Sequence, residues 1–207
     1  MFEDNFCGGF CPHEGIDCGG GVGDNVYVAF SDPKENISHL HFPASGTVVD
    51  IGAGSGHHAI ELALRLREMD GKVIAIDIQK DLLQRVKTEA LRLGLDNIET
   101  IWGDAEEMRG TELGDASCDA ALVSNVLFQL EERDVFAQEL WRIVKSGGEV
   151  LIVDWSDGFG GMGPKPEVLV SRNDTEALFV RHGFRLKDSF DAGDHHFGIL
   201  FERVDTM

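Results

Sequence analysis

Positive charge is scarce in this sequence. Only 18 lysines and arginines stand against 37 aspartates and glutamates, which gives a formal net charge of −19. A surface of that sign repels the phosphates of nucleic acids and of anionic lipids. We therefore expect no nucleic acid and no membrane surface among the partners.

Long apolar runs are also missing. No stretch approaches the roughly 18 apolar residues that a membrane-spanning helix needs. The opening residues, MFEDNFCGGF, carry acids where a secretory signal carries basic residues. These absences predict a cytoplasmic protein.

Cysteine is rare, and three of the four cysteines, Cys7, Cys11 and Cys18, lie close together near the start of the chain. In a reducing compartment such crowding indicates free thiols or a metal more than disulfides. The spacing is not a standard zinc pattern, however, and glycines surround it. We predict no metal site there. Residues 1–44 are expected to form an N-terminal arm, with a lid as one use for it, and residues 45–207 one domain.

From residue 47 onward, strand signals alternate with helix signals, the pattern that builds a parallel sheet covered on both faces. The predicted strands are residues 47–52, 72–77, 98–104, 118–125 and 149–155, and the predicted helices are residues 58–69, 80–94, 132–144 and 172–183. Two further apolar stretches, FRLKDSF and FGILFERV, are joined only by DAGDHH. So short a link requires antiparallel strands. The prediction is an α/β fold whose sheet ends in a hairpin.

The stretch VVDIGAGSGHHAIELA passes from a strand into a helix through Gly52, Gly54 and Gly56. Such a bare turn brings backbone amides and the positive helix end close to a ligand. Asp77 ends the second strand about twenty residues on, where an acid can accept hydrogen bonds from both ribose hydroxyls. Each of these residues alone could be a turn or cap residue.

Two more polar residues, Asp104 and Asn125, end the next two strands. Together with the glycine turn they fall on the carboxyl edge of one sheet, where open α/β folds bind ligands. A dinucleotide fingerprint would need a third glycine at position 57, which holds His57. This favours a cofactor that lacks a pyrophosphate and carries an amino-acid tail.

Several of these segments carry a family resemblance. In order along the chain, VVDIGAGSG, VIAIDIQ, IWGDAEE and CDAALVSNVLFQLEE resemble the motifs of the class I S-adenosylmethionine-dependent methyltransferases, most closely the small-molecule branch around the ubiquinone/menaquinone C-methyltransferases. The resemblance spans roughly residues 45–204. It implies a Rossmann-like, doubly wound, seven-stranded sheet with the last strand antiparallel, in three α/β/α layers. It also implies S-adenosyl-L-methionine as cofactor and a small-molecule substrate, and it leaves a homodimer open.

The same resemblance implies a role for each motif position. Those around the glycine turn would surround the methionine part of the cofactor, those after the second strand would bind ribose and adenine, and those after the third would bind the adenine amino group. Asn125 would face the methionine end. The implied cofactor-binding residues are Asp50, Gly52, Gly54, Gly56, Asp77, Ile78, Asp104, Ala105 and Asn125.

Methyl transfer from a sulfonium is an in-line displacement, which needs alignment and exclusion of water. A general base is required only if the nucleophile starts protonated. The residues expected to face a substrate are His57, Asn125, Gln129, Asp154, Trp155, His195 and His196, and the candidates for catalysis are His57, Asp154, His195 and His196. His57 could equally bind the cofactor carboxylate, and His58 is expected to point to solvent. The two histidines of the hairpin link could be ordinary exposed turn residues.

The glycine-rich segment DWSDGFGGMGP, with Phe159 and Met162, is expected to cover the site, although a simple connector would look the same. Leu127 and Phe128 are candidates for the acceptor pocket, with core packing expected for at least one of them.

Two alternatives stay open. The N-terminal cysteines suggest a metalloid or thiol methyltransferase, but arsenite enzymes usually carry a cysteine close after the glycine turn, where this chain has His57 and His58. The other is a non-catalytic cofactor- or metal-binding protein of the same fold that uses its histidines, His39 and His41 included, together with those cysteines.

Overall fold

The structure is a computed structural model, and it describes residues 31–205. The described helices are α1 (Pro33–Ser38), α2 (His57–Leu66), α3 (Lys80–Leu93), α4 (Arg133–Ile143) and α5 (Arg172–Arg181). The described strands are β1 (Thr47–Ile51), β2 (Lys72–Asp77), β3 (Ile98–Trp102), β4 (Cys118–Ser124), β5 (Val144–Trp155), β6 (Phe184–Asp191) and β7 (His196–Arg203). Single 3-10 turns occupy Arg67–Met69, Leu127–Gln129 and Phe159–Gly161.

All seven strands form one sheet in the order β3-β2-β1-β4-β5-β7-β6. Neighbours are parallel from β3 through to β5, whereas β7 is antiparallel to both β5 and β6. The predicted α/β fold, with a seven-stranded sheet and an antiparallel last strand, is confirmed. The strand order reverses between β1 and β4, and open α/β sheets bind their ligands at such a reversal.

Helices cover both faces of the sheet, because successive strand residues point to opposite sides. Val49 packs with Phe136 of α4 on one face, and Val48 packs with Leu62 of α2 on the other. The strands of the sheet centre are therefore apolar on both sides, as buried parallel strands are. This produces the three predicted layers.

The short helix α1 belongs to the second of these faces. Asp32 accepts a hydrogen bond from the Lys34 amide at 2.9 Å and so caps its start. Ile37 and Leu40 are fully buried among residues of α2 and the sheet. The predicted division of the chain at residue 44 stays a prediction, and Cys7, Cys11 and Cys18 lie outside the described residues.

One strand begins earlier than the sequence predicts. The segment KSGG was expected to separate α4 from a strand starting at residue 149. Instead α4 ends at Ile143 and β5 begins at Val144, which pairs with Cys118, while Glu149 pairs with Ala120. The intervening residues form an irregularity in the ladder rather than a break. No helix within residues 31–205 is long and apolar enough to cross a bilayer.

Candidate functional site

The glycine turn lies between β1 and α2, and all three glycines have positive φ angles, +69° at Gly52, +54° at Gly54 and +88° at Gly56. A Cβ at Gly52 would lie 2.4 Å from Val126 Cγ2, and one at Gly56 would lie 2.7 Å from Val86 Cγ2. A Cβ at Gly54 would meet nothing nearer than the Gly52 carbonyl at 4.0 Å. The outer glycines therefore permit close packing, whereas Gly54 borders open space.

Backbone hydrogen bonds hold this turn against the neighbouring strand. The amides of Gly52 and Ala53 donate to the Ile76 carbonyl at 2.8 and 3.0 Å, and the Gly56 amide donates to the Ala53 carbonyl at 2.9 Å. The amide of Gly54 donates to Asp77 Oδ2 at 2.8 Å. The sequence predicts that amides of this turn face a ligand, but these four have acceptors within the chain. A ligand here would depend more on side-chain groups and on the space beside Gly54.

Asp77 joins the glycine turn to the end of β2. Its other oxygen, Oδ1, accepts from the Gln79 amide at 2.8 Å, so the carboxylate bridges the first two crossover connections. The next residue, Ile78, is 61% exposed. Asp77 and the glycine turn therefore meet, as the sequence predicts.

Trp102 at the end of β3 was not singled out from the sequence. Its ring is largely exposed, its indole nitrogen donates to the Ile78 carbonyl at 2.9 Å, and Lys80 Nζ lies 4.2 Å from a ring centroid. These contacts hold the Trp102 ring against the Ile78 backbone and the Lys80 side chain, next to Asp77, with which Trp102 pairs in the sheet. A tryptophan near the end of the predicted strand 98–104 was the available signal.

Two buried acceptors at the ends of neighbouring strands have no hydrogen-bond partner. Asp50 of β1 is only 2% exposed and its Oδ2 is unpaired. Burial raises the pKa of Asp50 to about 7, the amide of Ala59 opposes that shift, and nearby Asp77 adds to it. Asn125, just after β4, has a buried unpaired Oδ1 and a positive φ of 59°. Unpaired buried acceptors are costly, and a ligand that donates hydrogen bonds would offset the cost.

Beyond β3, Asp104 is bound into its own loop. Its Oδ1 accepts from the Glu106 amide at 2.9 Å, and its amide donates to the Gly110 carbonyl at 2.9 Å. Ala105 is buried at the edge of the core, 8% exposed. Both residues therefore lie on the same sheet edge as Asp77, although the Asp104 carboxylate already organises a turn.

Asp154, a candidate for catalysis, is buried near the end of β5. Its Oδ2 accepts from the Leu127 amide at 2.9 Å and its Oδ1 from the Trp155 amide at 2.8 Å. Burial raises its pKa to about 6 against the opposing effect of these amides. The carboxyl group thus positions the turn after β4. In that turn Leu127 is fully buried in the core, while Phe128 is half-buried.

His195 lies in the link between β6 and β7 and holds the glycine-rich segment. Its Nδ1 is 3.0 Å from both carboxylate oxygens of Asp157, and its ring centroid is 3.9 Å from that of Phe159. The Ser156 amide also donates to the His195 carbonyl at 2.8 Å. The segment therefore lies against the hairpin. Met162 in it is 69% exposed.

The alternative of an ordinary exposed turn residue is wrong for His196. It is the first residue of β7, pairs with Trp155 of β5 and is 3% exposed. Neither ring nitrogen has a hydrogen-bond partner, and the ring centroid is 4.2 Å from that of Trp155. Burial lowers the pKa of His196 to about 4, assisted by His195 and opposed by Asp157. The ring is buried because β7 is inserted between β5 and β6.

His58 does not point to solvent as expected. Its Nε2 lies 3.2 Å from Asn36 Nδ2, a contact that spans α1 and α2. Burial lowers the pKa of His58 to about 4, with His57 and His196 contributing and Asp32 opposing. His58 and His196 are thus electrostatic neighbours, while His57 itself is exposed.

The histidines proposed as metal ligands do not converge. The His39 ring stacks on Phe190 at 3.6 Å, and His41 Nδ1 lies 3.2 Å from Glu149 Oε2. Within residues 31–205, no group of three or more His, Cys, Asp or Glu side chains is placed to hold a metal ion. Cys118, the cysteine of this part of the chain, is fully buried in the core.

Comparison with known proteins gives a consistent result. The family described as "Methyltransferase domain" matches residues 44–179. The chain belongs to the class I S-adenosylmethionine-dependent methyltransferases. Membership confirms the resemblance seen in the motifs and the prediction of S-adenosylmethionine as cofactor.

The sequence identity to individual relatives is moderate. A demethylmenaquinone methyltransferase of Oceanobacillus iheyensis is 28% identical over 59% of this chain and 50% of its own length. An arsenite methyltransferase of Aquipseudomonas alcaligenes is 32% identical over 66% of this chain and 43% of its own. The solved structure of a SAM-dependent methyltransferase from Aquifex aeolicus superposes with a TM-score of 0.75 at 26% identity, over 84% of this chain and 90% of that chain. The chain spans half or less of the length of these two curated relatives.

Proposed function

We propose that this methyltransferase domain transfers a methyl group from S-adenosylmethionine to a small-molecule acceptor, at the carboxyl edge of its sheet. One observation carries the proposal: the unpaired buried oxygens of Asp50 and Asn125 flank a glycine turn that opens to space at Gly54. An amino-acid ammonium group donates the hydrogen bonds that both oxygens lack.

The other parts of the cofactor have matching groups. The carboxylate of Asp77, fixed by two backbone amides, offers its remaining lone pairs to ribose hydroxyls. Ile78 and Trp102 offer apolar surface for an adenine ring. Asp104 and Ala105 lie at the next strand end, where the adenine amino group would be bound.

When bound, the cofactor supplies a methyl group activated by a positively charged sulfur. The contribution of the chain is alignment of the acceptor and exclusion of water. Trp155, together with the Phe159 and His195 pair, provides the apolar cover beyond the cofactor groups. Asp154 contributes by positioning the turn after β4 through the Leu127 amide.

A small acceptor is supported by the strong negative charge and by the names of the relatives, which act on demethylmenaquinone or arsenite. For arsenite the thiols would have to be Cys7, Cys11 and Cys18, since Cys118 is buried. Alkylating the thiols and then assaying arsenite turnover tests that alternative. The cytoplasmic location and a homodimer stay predictions.

Thermal shift with S-adenosylhomocysteine tests the proposal. The melting temperature of the chain should rise with this product and not with NAD. Asp77→Asn, which preserves the side-chain shape, should weaken product binding by about tenfold or more, because a charged acceptor is lost. Asp119→Asn is the matched control, since Asp119 also accepts from a backbone amide, that of Thr47 at 2.8 Å, but at the opposite sheet edge. A shift with NAD alone would overturn the cofactor choice.

A further inference from the structure

His196 is a buried polar side chain that the fold itself leaves unused. It is 97% buried, yet both ring nitrogens lack a partner within hydrogen-bonding distance. A neutral imidazole has one N–H donor and one acceptor nitrogen. Leaving both unmet costs folding free energy, and buried polar groups are otherwise nearly always paired. Such a residue is expected where a ligand supplies the missing partner.

The place of His196 in the sheet puts it beside the methyl-transfer site. It pairs with Trp155 at the carboxyl end of β5, and that end lies on the same sheet edge as the glycine turn. His58, the second residue of α2, directly follows that turn and interacts electrostatically with His196. The ring of Trp155 lies 4.2 Å from the imidazole. The unpaired nitrogens therefore lie at this sheet edge, next to an aromatic ring.

The charged groups around His196 define which ligand it can bind. Burial disfavours a proton on its ring most strongly and His195 does so less, while Asp157 favours one. Burial likewise lowers the pKa of the neighbouring His58, to about 4, which favours its neutral form. An anionic ligand would be bound most strongly by an imidazolium ion, which this environment opposes. A neutral ligand with an O–H group matches an unprotonated ring nitrogen.

We infer that His196 recognises the methyl acceptor, by a hydrogen bond from a neutral hydroxyl group of that acceptor to its imidazole ring, with Trp155 packed against the acceptor's apolar part. The inference rests on the proposed function. It makes His196 a binding and orienting residue. Full transfer of a phenol-like proton, with a pKa of about 10, to this ring would be strongly uphill.

Phenol is a suitable probe, with anisole, its methyl ether, as the matched ligand that lacks the O–H donor. Ring nitrogens of histidine would be followed by NMR in the full chain saturated with S-adenosylhomocysteine. Phenol should shift the His196 nitrogen resonances in a saturable way, and anisole should bind at least fivefold more weakly. His196→Phe, which preserves ring shape, should weaken phenol binding at least tenfold, and His196→Asn should restore part of it.

Two further measurements separate binding from a structural role. Affinity for S-adenosylhomocysteine should stay within twofold in both variants, and the melting temperature of His196→Phe should be equal to or above that of the parent chain. His41→Gln, remote from this edge and bound to Glu149, should leave phenol binding unchanged. The inference is overturned if phenol does not bind, if anisole binds equally well, or if His196→Phe retains phenol binding. Failure of the parent chain to bind S-adenosylhomocysteine would instead overturn the proposed function.

Discussion

At the scale of single residues, the protonation of Asp50 links cofactor binding to pH. Burial raises its pKa to about 7 in the absence of ligand, so the carboxyl group is largely protonated below that pH. An ammonium group of the cofactor stabilises only the ionised form. Binding should therefore release a proton when it occurs below pH 7.

The expected result is an affinity for S-adenosylhomocysteine that is flat above about pH 7.5 and falls by up to about tenfold per pH unit below pH 7. Isothermal titration in two buffers of different ionisation enthalpy, at pH 6 and pH 8, would count the protons released. Asp50→Asn should bind more weakly but without this pH dependence. A parent chain whose affinity is unchanged between pH 6 and pH 8 would show that Asp50 does not meet the cofactor.

At the scale of secondary-structure elements, two glycines next to helices can be compared, one in the glycine turn and one at the end of α3. Gly56 before α2 and Gly94 after α3 both have positive φ angles, +88° and +65°. A Cβ at Gly94 would touch nothing within 4 Å, whereas one at Gly56 would lie 2.7 Å from Val86. Replacing either glycine by another residue would therefore strain the backbone. Only at Gly56 would the added side chain also produce a steric clash.

Gly94→Ala should lower the free energy of unfolding by about 1 kcal/mol, the cost of a left-handed alanine. Gly56→Ala should cost about 1–3 kcal/mol more, because overpacking against Val86 is added. Urea denaturation of the two variants measures the difference. Equal losses would mean that α2 shifts freely away from α3, and that the close approach at Gly56 is not needed.

The loop between β3 and β4 is attached to α4 by hydrogen bonds to a buried ion pair, Glu139 and Arg142, both of that helix. Glu139 of α4 is 0% exposed and accepts from Thr111 Oγ1 at 2.5 Å and from the Arg109 amide at 2.9 Å, both in that loop. Arg142 donates to Glu139 and reaches Asp115 at 2.6 Å. Burial raises the pKa of Glu139, but these hydrogen bonds outweigh it, so the pKa lies below its usual value. These side-chain contacts therefore hold the loop in place, although it contains no helix.

Arg142→Met should destabilise the chain by roughly 3–5 kcal/mol, because it leaves the Glu139 charge buried and unpaired. The double variant Glu139→Leu with Arg142→Met should be less destabilised than the single one. A urea-denaturation cycle with both single variants measures the coupling. If the double variant were less stable than Arg142→Met, Glu139 would stabilise the chain even without its ion partner, and the desolvation argument would be wrong.

At the scale of the whole molecule, the sequence predicts the sheet well and the charge states at its edge poorly. Local signals suffice for strands and helices, because the short apolar run of β1 and the glycine at the end of α3 can each be recognised within a few residues. Asp50 and Asp77 were found by motif position. The burial of His58 and His196 could not be read in this way, because it depends on residues of other elements, Asn36 of α1 for His58 and Trp155 of β5 for His196.

That burial has a consequence for how the stability of the whole chain depends on pH. Four groups at the carboxyl edge are shifted toward their neutral forms, with pKa values of about 7 for Asp50, 6 for Asp154 and 4 for both His58 and His196. The two acids bind more protons in the folded than in the unfolded chain, so their contribution to stability increases as pH falls from 7 toward 4. The two histidines bind more protons when unfolded, so their contribution decreases as pH falls from 6.5 toward 4.

His196→Phe removes one of these opposing contributions. Relative to the parent chain, the variant should therefore gain free energy of unfolding as pH falls from 7.5 to 5, by up to about 2 kcal/mol, since 1.5 pH units below the unfolded pKa correspond to that amount. Urea denaturation at the two pH values measures the change, and His58→Phe should change in the same direction. A difference between variant and parent that stays constant with pH would mean that His196 gains its proton as readily in the folded as in the unfolded chain. That result would also remove the reason for expecting a neutral hydroxyl ligand, because an imidazolium ion at this edge would favour an anion instead.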